Sequence, residues 1–160
     1  MLSIEAYLDR DVDNINGKWT LQVVQDGIPT KIFDRIAVRS GQNGYTNTSW
    51  TEGKSPTPFN TKQEPWYIWT EGQNVGTLPS KAIPTGEAYP ISSDTKQKTT
   101  IYNPDNRNET RTYCEMHQEN AIPGTEGCTA IVDPAIAQEV WAYFKLLAKI
   151  GIKYIPYYVL

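Results

Sequence analysis

One segment, "DPAIAQEVWAYFKLLAKIG" from Asp133 to Gly151, carries sustained helical periodicity in a chain otherwise punctuated by turn formers. That contrast constrains the fold more than any other feature. Asp133 suits an N-cap, because its carboxylate can accept from backbone N–H groups left over at a helix start. Pro134 suits the first helical position and Gly151 the left-handed stop. Ile136, Val140, Tyr143, Phe144 and Leu147 recur at helical spacing, so one apolar stripe, centred on Val140, Phe144 and Leu147, is expected to pack on the rest of the domain. No second helix of comparable length is expected before residue 110.

The remainder reads as strands and loops. "LSIEAYLD" alternates, and "KWTLQVVQDGIPTKIFDRIAV" is two apolar runs joined by Asp26-Gly27, a pair favoured in tight hairpins. From about 41 to 80 the chain is rich in Gly, Pro, Asn, Thr and Ser around an aromatic island, "PWYIW", which predicts long loops with one or two short strands. "AIPTGEAYPISS", "TTIYNP" and "TRTYCEMH" are further strand candidates, with a turn over 103–108. "IKYIPYYVL" predicts a final strand, with Pro156 expected at an edge or bulge because it cannot donate to a ladder. The expected fold is therefore mainly β, a β-rich α+β domain with a mixed or sandwich-like sheet, one C-terminal helix and a closing strand. At 160 residues it is a single domain over 1–160, with a long loop insertion at about 41–80.

Charge excludes one broad class of partner. A formal net charge of −3, with 15 Lys and Arg scattered rather than clustered, gives no footprint for nucleic acid. No apolar run approaches the roughly 18–20 residues of a membrane span. The start, "MLSIEAYLDRDVDNING", lacks a basic n-region and an apolar h-region, so the chain as given carries no export signal. Two cysteines are too few for a disulfide framework and must be judged by position.

That judgement centres on "MHQENAIPGTEGCTAI", where the chain's one histidine, His117, precedes Cys128 by eleven positions. Strand parity sends Cys114 and Met116 to one face, and Tyr113, Glu115 and His117 to the other. Cys114 then reads as a core thiol, not bridged to Cys128. A zinc site built from Cys114, His117 and Cys128 would need the first two on one side, which parity opposes, so no metal is expected. Two readings stay open for the other pair. His117 and Cys128 are either a hydrogen-bonded histidine and a small buried hydrophobe, or a base and a nucleophile. The loop "PGTEGC" favours the second, because Gly127 before the sulfur lets backbone N–H groups meet an oxyanion and an imidazole could hold the thiolate.

With these residues in place, the chain resembles the catalytic domain of the L,D-transpeptidases, peptidoglycan cysteine enzymes whose signature has a His, a short loop, then Ser/Thr-x-Gly-Cys. Here those positions read His117 and "TEGC", Thr125 to Cys128. The flanks are similar in order: the early hairpin with "QDG", a strand ending "RSG", then "IPTGEAY", and after the cysteine a helix and a closing strand. The resemblance covers most of the chain outside 41–80. It departs at Gln118, where Gly is usual, at Glu126, where His is frequent, and at Ala130 of "CTA", where the Arg or Asn that would serve substrate carboxylates is often found two residues past the cysteine. "HQENAIPGTEGC" is also close in style to small phage-associated domains related to this fold.

The resemblance implies peptidoglycan stem-peptide processing through a Cys-His acyl-enzyme, as an L,D-transpeptidase or L,D-peptidase, with no cofactor. Cys128 would be the nucleophile and His117 its base, with Gly127 helping to form the oxyanion hole. Thr125 would act within the loop, Tyr113 or Glu115 would orient the imidazole, and Arg111 or Arg107 would take the substrate carboxylate. Partners would be peptidoglycan or muropeptides, at the periplasm or cell wall, reached through a virion or lysis system. The alternative is a non-catalytic virion or cell-wall-binding module on the same fold, for which Trp66, Tyr67 and Trp69 offer glycan-stacking surfaces, although aromatic residues at alternate strand positions are more often core.

Overall fold

The computed structural model describes residues 1–11, 16–40, 64–74, 87–96, 100–112, 114–119 and 129–160. Along the chain run β1 (Leu2–Arg10), β2 (Asn16–Gln25), β3 (Ile28–Ser40), β4 (Trp66–Trp69), β5 (Gln73–Asn74), β6 (Glu87–Ser92), β7 (Thr100–Asn103), β8 (Asn106–Thr112), β9 (Glu115–Gln118), β10 (Thr129–Ile131), α1 (Pro134–Lys149) and β11 (Tyr154–Val159). The protein is mainly β, and α1 is the one helix among the described residues. It is not long and apolar enough to cross a membrane.

The β2–β3 hairpin forms where the sequence places it. Asp26 and Gly27 both take positive φ, 52° and 79°, the backbone of a two-residue turn whose twist matches its flanking strands. Farther along, the register slips between Trp19, Leu21 and Gln22 of β2 and their β3 partners. Arg35, at φ 52°, sits in this bulged stretch and donates its backbone N–H to Thr20 Oγ1 at 3.1 Å.

The sheet runs β4-β11-β1-β2-β3-β10-β9-β6-β5, and an additional β4–β6 pairing closes eight of these strands into a barrel. It is mixed, as expected, because β1–β11 and β9–β10 are parallel. Closure, instead of a two-layer sandwich, follows from the short β4. It pairs with β11 through Ile68↔Ile155 and with β6 through Ile68↔Ile91, which leaves it no open edge. Inward residues meet inward residues around the ring, as in Leu8↔Trp19, Val38↔Ile131 and Met116↔Tyr89.

Pro156 lies in an inner strand and not at an edge, and the register explains why. It opposes Tyr67 of β4, while the β1 ladder begins only at Tyr157. A proline fits there if the pair with Tyr67 is a non-hydrogen-bonded one, so that its missing N–H points to the side where the ladder has not started.

Helix α1 begins as the sequence predicts. Asp133 Oδ1 accepts from Ala135 N–H at 2.8 Å, and Gly151 takes φ 93° just past the end. Its buried residues are Ala137, Val140, Trp141, Phe144 and Leu147, so the stripe is rotated to include Trp141, with Ile136 and Tyr143 at its margins. Phe144 meets Trp19 at 6.1 Å and Tyr89 at 5.0 Å edge-on, and Trp141 stacks on Tyr89 at 4.8 Å. Strands and helix thus share one core inside the barrel.

Phe144→Ala should lower the unfolding free energy by about 3–5 kcal/mol in urea denaturation, because it empties the junction between helix and barrel. Asp133→Ala should lower it by about 1 kcal/mol through the lost cap.

Candidate functional site around His117

Strand β9 carries the candidate base. Cys114, just before it, and Met116 join the interior core, whereas His117 belongs to the opposite face, as parity requires. Cys114 is a buried thiol in no disulfide. Among the described residues there is no group of His, Cys, Asp and Glu that could hold a metal ion.

Across the sheet His117 pairs with Ala88 of β6 and Ala130 of β10, and Ala130 pairs with Arg39 of β3. Two small side chains therefore flank the imidazole, which still retains only 5% exposure. His117 Nδ1 lies 2.7 Å from the Gln118 carbonyl oxygen. A carbonyl can only accept, so in the neutral ring Nδ1 carries the proton and Nε2 carries the lone pair. Burial lowers the His117 pKa, while the Gln118 bond and the Glu119 carboxylate oppose that shift. The neutral, base-competent form is thereby favoured.

Around it stands an ion pair that sequence reasoning missed. Arg39 Nη1 reaches Glu119 Oε1 at 2.8 Å, and Arg39 Nε donates to Asn16 Oδ1 at 3.1 Å. The partners come from strands that only the fold makes neighbours, and no local pattern signals them. Glu115, on the face of His117, is 5% exposed, and burial raises its carboxyl to about 7. Its Oε2 has no hydrogen-bond partner among the described residues. Among the described residues, the hydrogen bond that orients the imidazole is the one to the Gln118 carbonyl.

Arg111 lies in a different setting. It is fully buried, and its charge acts on Arg10. Burial lowers the Arg10 pKa to about 10, with Tyr157 opposing the shift and Arg111 adding to it. Tyr157, an interior residue, hydrogen-bonds Thr129 between hydroxyls at 3.1 Å, and burial pushes its own pKa up. Of the aromatic island, Trp66 and Trp69 are buried, the latter donating Nε1–H to Ser92 Oγ at 2.8 Å, while Tyr67 keeps partial exposure. Cys128, Gly127, Thr125 and Tyr113, the other expected site residues, lie outside the described residues.

Comparison of the chain with protein-family models, with curated proteins and with solved structures finds no match.

The Glu115 carboxyl gives a signed pH dependence. Its folded pKa is raised above the ordinary 4.5, so the folded state holds the proton more tightly than the unfolded chain. That contribution to stability is full below about 4.5 and is lost as pH rises through about 7. Glu115→Gln, which cannot ionise, should match the parent near pH 4 and exceed it by about 1–3 kcal/mol near pH 8 in urea titrations. An equal difference at both pH values would show that the carboxyl does not titrate this way.

Proposed function

We propose that the protein processes peptidoglycan stem peptides through a Cys128 acyl-enzyme with His117 as base, as an L,D-transpeptidase or L,D-peptidase. The observation that carries this reading is the β9–β10 register: His117 pairs with Ala130, and Cys128 is joined by one peptide bond to Thr129, where β10 begins. The base thus lies on β9, whose parallel neighbour β10 begins one residue after Cys128, in the chain order the resemblance calls for. The tautomer supports it too, because a neutral imidazole with its Nε2 lone pair available can accept a thiol proton.

In this mechanism Nε2 of His117 takes the Cys128 proton and the thiolate attacks the peptide carbonyl. Backbone N–H groups of Gly127 and Cys128 stabilise the oxyanion. Collapse breaks the C–N bond, the leaving amine takes the proton from the imidazolium, and a thioester remains. An acceptor amine completes transpeptidation; water completes hydrolysis. Thr125 and Tyr113 contact the substrate or shape the loop, whereas Arg111, expected to take the substrate carboxylate, is fully buried and belongs to the interior with Arg10. No cofactor is required, and the site of action is the periplasm or cell wall, with delivery by a virion or lysis system.

One observation favours the competing reading, a non-catalytic virion or cell-wall-binding module. An imidazole 5% exposed and bonded to a neighbouring carbonyl is also what a structural histidine looks like.

Thiol reactivity and turnover separate the two. Iodoacetamide should alkylate Cys128 quickly near neutral pH while Cys114, 1% exposed, stays inert. His117→Ala should slow both that alkylation and muropeptide turnover, the latter by about 10²-fold or more by mass spectrometry. Equal inertness of both thiols, with no change in muropeptide masses, would leave the binding module as the better account.

A further inference from the structure

Beside β4, the β7–β8 hairpin borders an open cleft of about 290 Å³ that the Cys128–His117 chemistry does not use. Its apolar lining residues are Tyr67 and Tyr102, with Pro65, Trp66 and Pro104 beside them. Both tyrosines are held in place: Tyr67 meets Tyr154 edge-on at 5.5 Å, and Arg107 Cζ lies 4.9 Å from the centre of the Tyr102 ring. Its charged groups are Glu64, Asp94 and Arg107, two acceptors and one donor.

Mixed charge narrows the ligand. A cation would enter a cleft lined by the Arg107 guanidinium, and an anion one lined by two carboxylates, so each meets a group of its own sign. A peptide adding as a strand finds no open edge in β4, which is paired with β11 and β6. A neutral polyhydroxylated ring has neither difficulty. Its C–H face rests on a tyrosine, its hydroxyls donate to Glu64 and Asp94, and a hydroxyl oxygen accepts from Arg107. The volume lies near the lower end of the roughly 300–1,000 Å³ of small-molecule sites, which limits the bound part to one or two rings.

We propose that this cleft binds a neutral saccharide of one or two rings through Tyr67, Tyr102, Glu64, Asp94 and Arg107. The inference is independent of Cys128 and holds whether or not the acyl-enzyme reading does. The test uses the full chain with cellobiose, maltose and N,N′-diacetylchitobiose, each followed by saturation-transfer NMR and calorimetry. At least one should bind with a dissociation constant of about 1 mM or tighter. Asp94→Asn and Arg107→Gln should each weaken that binding about tenfold, with far-UV circular dichroism and the urea midpoint unchanged, because each removes a charge-assisted hydrogen bond. Tyr67→Ala should weaken it further; if losing the Tyr154 contact disturbs its fold, the two polar substitutions decide. The proposal is overturned if no probe binds at about 10 mM, if binding is indifferent to both polar substitutions, or if glucosamine or glucuronate binds more tightly than every neutral probe.

Discussion

Ile68 is where the barrel closes. Its backbone pairs with Ile155 on one side and Ile91 on the other, and all three side chains are fully buried. A closed sheet imposes a condition that an open one does not: the inward set of each strand must match the inward set of both neighbours all the way round. Strand parity is fixed by the period of two, so a slip of one residue at any ladder would turn that strand's apolar set outward. Here the condition is met with large side chains such as Trp19, Tyr89 and Tyr157 facing inward. Helix α1 supplies Trp141 and Phe144 to the same interior, so helix docking and barrel closure bury one continuous core.

The same parity that fills the interior sends His117 to the other face. The row His117, Ala130, Arg39, Asn16 runs across four strands, β9, β10, β3 and β2, with Glu119 bonded to Arg39 from the end of β9. Alanines flank the ring, which is nevertheless almost fully buried, and that burial lowers its pKa. The interior has a polar part of its own in Arg10, Arg111, Tyr157 and Thr129. Gly17 opposite Arg10 belongs to that packing. A Cβ there would come within 2.9 Å of the Asp9 carbonyl oxygen and 3.0 Å of a Leu8 methyl, so neither backbone nor core has room for it.

Much of this was legible residue by residue. Helix α1 and its Asp133 cap, the Asp26-Gly27 turn, and the opposite facing of Cys114 and His117 all follow from local rules of period, capping and positive φ. Helical spacing allows the stripe either Ile136 and Tyr143 or Ala137 and Trp141 beside Val140, Phe144 and Leu147, and only the packing of Trp141 on Tyr89 decides for the second. For Pro156 the sequence predicts an edge or a bulge, since local residues do not say where the ladder on its other side begins.

The sequence by itself determined the elements and their faces, because a strand's alternation and a helix's caps depend on residues within a few positions of one another. It determined as well that His117 is the one imidazole the chain has to offer. Only the tertiary structure decided that the sheet closes through β4 and β6, that Ala88 and Ala130 flank His117, and that Nδ1 is the nitrogen bonded to Gln118. It alone brought Arg39 to Glu119 and Arg107 onto Tyr102 beside Tyr67. Most of these features are pairings between segments far apart in the chain, fixed by which strands become neighbours, and no local preference encodes a neighbour tens of residues away.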